Sequence, residues 1–246
     1  MLSSVILPVF TWIPVRGIKS STARSRAIAF FLTFIVKGIG LHYLIFSQSK
    51  SFYSISTIII MKVIDGRAIA KEMEKEIGEK AKGKKIKIAT VVIEGNSESW
   101  LFARLKDKAC KRVGIEHEII GLENVSQERA EEEIKKLSED ETITGINIQL
   151  PLPPSIDYNS LVKKIDVRKD IEGMHPSNLG NLMLGREDMI PCTPKAVLKI
   201  LEHEGIELKG KNVVIINHSN IIGKPLAILL LNRNSTVSVC HVYTQN

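Results

Sequence analysis

Short apolar runs alternate with amphipathic segments along most of this 246-residue chain, and this alternation restricts the folds open to it. The runs at 86–93 and 143–148 are rich in isoleucine and valine and are short, which is typical of buried strands. Between them, apolar side chains recur every three or four residues, which predicts helices with one buried face. Strands that alternate with helices favour parallel sheets covered by helices. The sequence therefore predicts the α/β fold class.

The predicted elements follow one another from residue 66 to residue 240. Helices are predicted at about 66–82, 98–113, 157–165, 194–203 and 222–233, with a further charged helix after Ser126. Strands are predicted at 86–93, 115–122, 143–148, 211–216 and 236–240. In the second helix, Leu101, Leu105 and Ala109 form the apolar stripe that we expect to face the core. The segment from about 165 to 192 is expected to be a loop.

The formal net charge of +7 is concentrated at the N-terminus. Residues 1–60 hold six basic and no acidic side chains, which leaves a net charge of only +1 on residues 61–246. General nucleic-acid binding needs a basic surface on the folded part, so this class of function is disfavoured. The cysteines Cys110, Cys192 and Cys240 are widely spaced, which is typical of a reducing compartment. Neither a disulfide framework nor a metal site is predicted.

The first sixty residues differ from the rest of the chain and allow three interpretations. Ala27–Phe46 is long and apolar enough to cross a bilayer, although Lys37 opposes insertion. The same region contains serine and arginine but no acidic residue, as transit peptides do. The interpretation that we favour is a wrongly assigned start, because a charged, helix-periodic sequence begins at Met61. Residues 1–60 are therefore treated as an extension, outside the fold prediction.

The last predicted strand, 236–240, is followed by only a few residues. A parallel sheet with two strands in its last domain would leave an unpaired edge and an uncovered apolar face. We therefore expect that the sequence is a C-terminally truncated form of a longer protein.

Three polar residues stand at places where sites form in α/β proteins. Lys106 lies on one helical stripe with Ser99 and Phe102, at the edge of the predicted buried face, although a solvated helix lysine is more common there. Gln149 ends a buried strand before a bend forced by proline; a polar strand end bonded to loop backbone is the alternative. Asp170 lies in an ionisable loop and could accept hydrogen bonds from an amino-pyrimidine edge or belong to a solvated turn.

A strand, a polar turn and a helix follow one another at 213–225, with Asn217, Ser219 and Gly223 in the turn. This order is typical of a dinucleotide-binding crossover, where phosphate lies at a helix N-terminus. The turn lacks the GxGxxG pattern, so the sequence of elements carries the interpretation alone. His241 follows the next strand, where the adenosine end of a dinucleotide would lie, although a histidine satisfied within its loop is more common.

Taken together and in order, the motifs of residues 61–246 resemble the bifunctional methylenetetrahydrofolate dehydrogenase/methenyltetrahydrofolate cyclohydrolase family. The segments QLPLP at 149–153 and PCTP at 191–194 are the most specific. The other matches, in family order, are IDG at 64–66, Ser99, Phe102, Lys106, Lys108, Gly114-Ile115, KDIEG at 169–173, His175-Pro176, Asn178, Gly180, Ser219, Ile222-Gly223, Pro225, Cys240-His241 and Thr244.

The resemblance implies two α/β domains: a folate-binding catalytic domain at 61–180 and an incomplete Rossmann-type NAD(P)-binding domain at 181–246. It implies oxidation of 5,10-methylenetetrahydrofolate to the 5,10-methenyl form with NADP, NAD being the alternative. Hydrolysis of the methenyl form to 10-formyltetrahydrofolate would follow, within one-carbon metabolism that feeds purine biosynthesis. A cytoplasmic homodimer is implied as well. The charge distribution predicts no nucleic-acid partner, and an organelle or membrane location is expected only if residues 1–60 are genuine.

The resemblance also assigns roles to single residues. Lys106 matches the catalytic lysine, whose pKa an apolar site should lower so that it acts as a base or proton shuttle. Gln149 matches the residue that orients this lysine, and Asp170 the carboxylate that grips the pterin. Ser99 and Phe102 belong to the substrate site. The residues that match the NADP site are Asn217, His218, Ser219, Ile222, Gly223 and His241.

Three departures from the family pattern leave alternatives open. Phe102 stands where the family usually has tyrosine, and the missing hydroxyl affects the hydrolytic step more than hydride transfer. Asn217-His218 replaces Gly-Arg, and a mostly neutral histidine binds the 2′-phosphate of NADP less well than arginine. Val242 replaces a serine. The alternatives are an enzyme with dehydrogenase activity alone and a folate-binding or scaffold protein without catalysis.

Overall fold

Two parallel sheets organise the part of the chain that the computed structural model describes, residues 64–95 and 97–245. One sheet lies in a compact unit that extends from Gly66 to Ile200, and the other in a unit that begins at Leu201. The α/β class predicted from the sequence is confirmed. The division into domains at residues 180 and 181 stays a prediction. The interpretations of residues 1–60 fall outside the described residues.

The first unit contains a three-stranded sheet in the order β2-β1-β3, with all pairs parallel. Its elements are α1 (Gly66–Ala81), β1 (Lys87–Ile93), α2 (Ser97–Arg112), β2 (Glu116–Leu122), α3 (Gln127–Glu139), β3 (Gly145–Gln149), α4 (Tyr158–Val162) and α5 (Pro176–Met183). Helix α6 (Cys192–His203) begins in this unit and ends after the boundary at Ile200. Side chains of the central strand β1 are buried almost throughout. Helix α3 follows Ser126 as predicted, and the Ser126 side chain caps it by accepting from the Arg129 backbone N–H. Element types and order therefore follow the sequence prediction closely.

The predicted apolar stripe of α2 is wrong at Leu101 and Leu105, while its third member, Ala109, is buried as expected. Leu101 and Leu105 are each 49% exposed, whereas Ala103 and Cys110 are completely buried. Helix α2 packs against β1 and β2 through these small side chains, which let the helix axis approach the sheet closely. The same rotation of the helix turns Lys106 toward the sheet. Side-chain size, rather than hydrophobicity, decides which face of α2 is buried.

Helix α5 lies in the segment predicted to be a loop, so that prediction is wrong over Pro176–Met183. His175 caps this helix by accepting the Ser177 backbone N–H at Nδ1 over 3.1 Å. Pro176 occupies the first helical position, where its missing N–H needs no partner. The helix is short and contains Gly180, so its apolar periodicity is too brief to be recognised in the sequence.

The second unit holds β4 (Asn212–Ile216), α7 (Gly223–Leu231) and β5 (Thr236–Cys240). Strands β4 and β5 pair in parallel, and α7 packs on both of them. The helix is apolar nearly all round, and Leu226, Leu229 and Leu230 are buried. Because the crossover β4-α7-β5 is complete, its turns are placed as in one unit of a dinucleotide-binding sheet.

No helix within residues 64–95 and 97–245 has the length and apolar character needed to span a membrane.

Candidate active site

Polar side chains line one face of the first sheet because of the register between its strands. Thr90 on β1 lies opposite Asn147 on β3, and Val92 lies opposite Gln149. Since side chains alternate along a strand, Asn147 and Gln149 point to the same face. Both are buried in the structure. Helix α2 covers this face and brings Lys106 to it.

The amine of Lys106 is held by β3 and does not extend into solvent. Its Nζ donates to Asn147 Oδ1 and, over 3.0 Å, to Gln149 Oε1. The amide of Gln149 is oriented in turn, because its Nε2 donates to the Leu150 carbonyl over 2.7 Å. The structure therefore brings Lys106 and Gln149 together as predicted, and adds Asn147, which sequence reasoning missed. The missed signal is a polar side chain within the apolar run 143–148.

The environment of Lys106 favours its neutral form. Burial lowers the pKa of the amine below that of an ordinary lysine, and the carboxylate of Glu172 opposes this effect. The same burial raises the pKa of Glu172, with the Lys106 charge acting in the opposite direction. An amine with a lowered pKa can take up a proton at a pH where a solvated lysine is already charged.

The loop after β3 presents two carboxylates with different surroundings. Asp170 is almost fully buried, and its Oδ2 accepts from the His175 backbone N–H over 2.7 Å and from Asn178 Nδ2 over 2.8 Å. Glu172 is half-buried and interacts electrostatically with Lys106. Sequence reasoning singled out Asp170 and missed Glu172. The signal that was available is the second carboxylate of the KDIEG motif, at the alternate position of the same loop.

The remaining predicted residues of the first unit lie on α2 and α6. Phe102 is half-buried and lies one helical turn before Lys106, and Ser99 is buried and lies two turns before it. Cys192 Sγ donates to the Ile171 carbonyl over 3.6 Å. Burial raises the pKa of this thiol to about 12, so it stays protonated at neutral pH. A buried, protonated thiol of this kind is a poor nucleophile.

The turn between β4 and α7 is closed by one asparagine side chain. Asn217 Oδ1 accepts the backbone N–H groups of Ser219, over 2.8 Å, and Gly223, over 3.1 Å. Ser219 Oγ accepts the Ile222 N–H over 3.1 Å. A side chain at Gly223 would place its Cβ 2.0 Å from the Asn217 carbonyl oxygen, so only glycine fits. This close approach of strand and helix suits a dinucleotide-binding turn.

Two histidines meet beyond the ends of β4 and β5. The rings of His218 and His241 have centroids 4.7 Å apart. His241 is fixed by its neighbours, since its backbone N–H donates to Thr244 Oγ1 and its Nδ1 accepts the Tyr243 N–H. Val242 is largely exposed. The structure thus brings all the predicted cofactor residues to the carboxyl edge of the second sheet, and this donor set fits a nicotinamide dinucleotide.

Comparison with known protein families agrees with both the Lys106 site and the turn between β4 and α7. Residues 64–172 match the family model of the tetrahydrofolate dehydrogenase/cyclohydrolase catalytic domain. Residues 191–246 match the NAD(P)-binding domain of the same family. The chain belongs to the tetrahydrofolate dehydrogenase/cyclohydrolase family. The resemblance inferred from the motifs is therefore confirmed.

Individual relatives support the assignment. The bifunctional protein FolD of Methanococcoides burtonii is 43% identical over 192 residues, which cover 75% of this chain and 67% of the relative. FolD of Helicobacter pylori is 41% identical over 191 residues, with 75% and 66% covered. The chain thus spans about two thirds of the length of these relatives.

Solved structures of the family have the same fold. The bifunctional FolD of Campylobacter jejuni has a TM-score of 0.71 at 38% identity and covers 74% of this chain and 67% of its own. FolD of Trypanosoma brucei, solved with NADP and an inhibitor, has a TM-score of 0.71 at 37% identity, with 74% and 65% covered. Family membership confirms an NAD(P)-dependent enzyme of folate one-carbon metabolism with dehydrogenase and cyclohydrolase activities.

Proposed function

We propose that Lys106 carries the hydrolytic step of this enzyme. The observation that supports this most directly is its amine, which is partly buried and held by Gln149 and Asn147. In the proposed step, water attacks the bridging carbon of the 5,10-methenyl cation and passes a proton to the neutral amine. The hydroxyl proton then moves to N5 as the bond from N5 to the bridging carbon breaks, and the ring opens to 10-formyltetrahydrofolate. Burial lowers the pKa of Lys106, which increases the neutral fraction available for this role.

Gln149 acts as the positioning residue for Lys106. Its Oε1 accepts from the amine while its Nε2 is fixed by the Leu150 carbonyl, so the glutamine cannot turn away. Phe102, one helical turn earlier, supplies an aromatic ring for the aminobenzoyl group of the folate. Ser99 lies in the first turn of the same helix and completes the proposed substrate site.

For the pterin, we propose Glu172 as the binding carboxylate and a structural role for Asp170. A carboxylate can accept two hydrogen bonds from the amino group and ring N–H of a pterin. Asp170 already accepts from His175 and Asn178, which fixes the loop. Glu172 is half-buried and interacts with the amine that performs the chemistry. Pterin binding by Asp170, as the sequence predicted, is the alternative that the two substitutions below distinguish.

Glu172→Gln is expected to raise KM for the folate by roughly 10–100-fold, since hydrogen bonds to a charged group contribute about 1.5–3 kcal/mol. It should also move the pH profile of hydrolysis. The neutral amine is the active form, so kcat rises with pH as Lys106 loses its proton. Glu172 raises the pKa of Lys106, and its neutralisation should shift this rise to lower pH. Steady-state hydrolysis of methenyltetrahydrofolate, followed by absorbance across pH, measures both effects.

The matched control is Asp170→Asn, which places an amide where His175 and Asn178 donate. We expect a loss of about 1–3 kcal/mol in unfolding free energy, with the pH profile unchanged. A folate KM that rises in Asp170→Asn and not in Glu172→Gln would return the pterin-binding role to Asp170.

We propose NADP as the cofactor, bound at the turn Asn217–Gly223 and at His241. When bound, NADP accepts the hydride from the methylene carbon of the substrate. The family match of residues 191–246 supports a nicotinamide dinucleotide. His218 is exposed at this turn and is the nearest counterpart of an arginine that would bind a 2′-phosphate.

His218→Arg is expected to increase the preference for NADP over NAD by about tenfold or more in kcat/KM. A bidentate guanidinium–phosphate contact is stronger than a hydrogen bond from a neutral imidazole. Dehydrogenase rates with each cofactor, measured at pH 7.5, give the ratio. Exposed Lys224 on α7 provides the control, since Lys224→Arg leaves the charge at that position unchanged. An unchanged ratio in His218→Arg would place the 2′-phosphate elsewhere.

The direct test of function uses the full purified chain. Methylenetetrahydrofolate and NADP should produce the methenyl absorbance, which then decays as water opens the ring. Absence of the first signal with NADP and with NAD would contradict the dehydrogenase, and a stable methenyl signal would contradict the cyclohydrolase.

The cytoplasm and a homodimer are proposed as location and assembly. Free cysteines at Cys110, Cys192 and Cys240 support a reducing compartment. The near-zero charge of residues 61–246 argues against nucleic acid as a partner. Analytical ultracentrifugation tests the dimer, since the chain mass is 27.4 kDa, and fractionation of cells that express the tagged gene tests the location.

A further inference from the structure

A line of three buried polar side chains leads across the first sheet to the amine of Lys106. His117 on β2, Thr90 on β1 and Asn147 on β3 come from three different strands. The ring of His117 lies 2.9 Å from Thr90 at Nε2, and Thr90 Oγ1 donates to Asn147 Oδ1 over 3.2 Å. Asn147 Oδ1 also accepts from Lys106 Nζ. Thr90, Asn147 and the side chain of His117 are each at most 3% exposed.

The strand register makes this line of side chains geometrically regular. Thr90 pairs with Asn147, and Ile88, two residues before Thr90, pairs with His117. Alternation along the strands therefore places all three side chains on the face that α2 covers. An apolar residue at any of these positions would suit a sheet interior equally well, as the rest of β1 shows.

The charged form of Lys106, at one end of the line, determines which atom of each hydrogen bond is the donor. When Lys106 is charged, its amine can only donate, and Asn147 presents its amide oxygen to it. Thr90 has one hydroxyl proton, and it goes to that same oxygen. With that proton given to Asn147, Thr90 Oγ1 accepts from His117 in the tautomer that carries a proton on Nε2. In this arrangement the hydrogen bonds run from His117 to Thr90 to Asn147, and the Asn147 oxygen rather than its NH₂ group faces the amine.

Burying polar groups in place of apolar ones does not stabilise the sheet, so their presence calls for a functional explanation. A buried polar group with unmet hydrogen bonds destabilises the fold by about 1–3 kcal/mol, and even paired groups gain little over an apolar core. Burial lowers the pKa of His117, which favours its neutral form, while Asp107, whose Oδ1 lies 3.5 Å from Nδ1, acts in the opposite direction. A line of buried polar groups whose last member, Asn147 Oδ1, accepts from the catalytic amine points to a role in holding that amine.

We propose that Asn147, fixed by Thr90 and His117, is a second positioning residue for Lys106 beside Gln149. This inference rests on the proposed role of Lys106 in hydrolysis. Two acceptors from alternate positions of β3 define the place and orientation of the amine, where one acceptor would leave it free to pivot. The line does not conduct protons, because the amide of Asn147 interrupts it.

Other charges around the line act on the same amine and must be considered in any titration. Glu172, Cys192 and Cys110 all face Lys106. On the far side, His117 interacts with Asp107, Lys106 and Lys111. Thr90→Val leaves every one of these groups in place, along with Asn147 and its hydrogen bond to Glu172, and removes only the hydroxyl that donates to the Asn147 oxygen. It is therefore the most informative substitution.

The experiment compares Thr90→Val and Asn147→Leu with Thr90→Ser and with Thr144→Val. Serine at residue 90 keeps the hydroxyl. Thr144 precedes β3 at the opposite end from Gln149, where its Oγ1 accepts the Lys87 N–H over 3.2 Å. Thr144→Val therefore removes a threonine hydroxyl from the same sheet without touching the line. Two readouts are taken on the full chain: the pKa of Lys106, by NMR titration of ¹⁵N-labelled lysine, and kcat for both activities.

We expect Asn147→Leu to lower the pKa of Lys106 below the wild-type value, because an acceptor of the charged amine is lost. Hydrolysis should fall by roughly 10–100-fold, as for a misplaced catalytic group, with dehydrogenase kcat changed less than about threefold. Thr90→Val should show the same pattern to a smaller extent. Thr90→Ser and Thr144→Val should match the wild type in both readouts.

An unchanged Lys106 titration in both Thr90→Val and Asn147→Leu overturns the proposal. So does an equal loss of both activities with a normal titration, which is the result of a merely structural role. If Asn147→Leu fails to fold, Thr90→Val decides alone. If the wild-type chain shows no hydrolysis, the proposed function of Lys106 fails, and the NMR titration still establishes whether the line holds the amine.

Discussion

Lys106→Met is expected to lower the kcat of methenyltetrahydrofolate hydrolysis by about 10²–10⁴-fold, the usual contribution of a positioned acid or base. Methionine retains the length of the side chain and its apolar stem but has no amine. Folate binding should persist, because Phe102 and Glu172 are unchanged. Hydride transfer depends mainly on positioning and should be affected less. Absorbance assays of each step, together with titration of folate by fluorescence, separate binding from turnover.

The control for this substitution is Lys108→Met, two residues along the same helix. Lys108 is exposed, so its replacement removes a charge without changing the site. Retention of hydrolysis in Lys106→Met would contradict the proposed base. A wild-type chain that binds folate without any turnover would instead support the alternative of a non-catalytic folate-binding protein.

Gly173→Ala is expected to destabilise the first unit by about 3–5 kcal/mol, a loss typical of severe backbone conflicts. Gly173 has φ of +67°, a left-handed conformation that disfavours a side chain. Its Cβ would lie 2.5 Å from the carbonyl carbon of Ile190 and 2.8 Å from Pro191 N. Both obstacles are backbone atoms and cannot rotate away. Because Gly173 adjoins Glu172, the folate KM should rise as well; urea denaturation and hydrolysis assays measure the two effects.

Gly185→Ala separates the two causes. Gly185 has φ of +78°, and its Cβ would meet no atom within 4 Å. Only the left-handed backbone opposes alanine there, so the expected loss is about 1–2 kcal/mol. Equal losses in the two variants would show that the contact between Gly173 and Ile190 does not limit the loop.

Local sequence was sufficient for most secondary structure, and α2 and α5 show why it was insufficient in two places. In α2 the leucines are the most apolar residues, yet the face with small side chains packs on the sheet because it allows a closer contact. Helix α5 is only eight residues long, and its start depends on the His175 cap and Pro176 more than on periodicity. Apolar periodicity predicts that a helix exists more reliably than it predicts which face a neighbour will cover.

The site residues were likewise predicted in part from local motifs and in part revealed only by the tertiary structure. Lys106 and Gln149 were named from motifs, but by pattern alone Lys106 was indistinguishable from a solvated helix lysine. The residues missed, Asn147 and Glu172, lie 41 and 66 positions from Lys106 along the chain, and no local pattern connects them. Strand register and the loop after β3 bring them to the amine.

The amino-acid sequence by itself determined the α/β class, the order of strands and helices and the family, because backbone periodicity and short motifs are local properties of the chain. Only the tertiary structure decided which side of α2 is buried, that Asn147 shares the Lys106 amine with Gln149, and that Asp170 supports its own loop while Glu172 interacts with the amine. These outcomes depend on contacts between residues distant in sequence, whose energies arise only when the sheet and its covering helices are packed together.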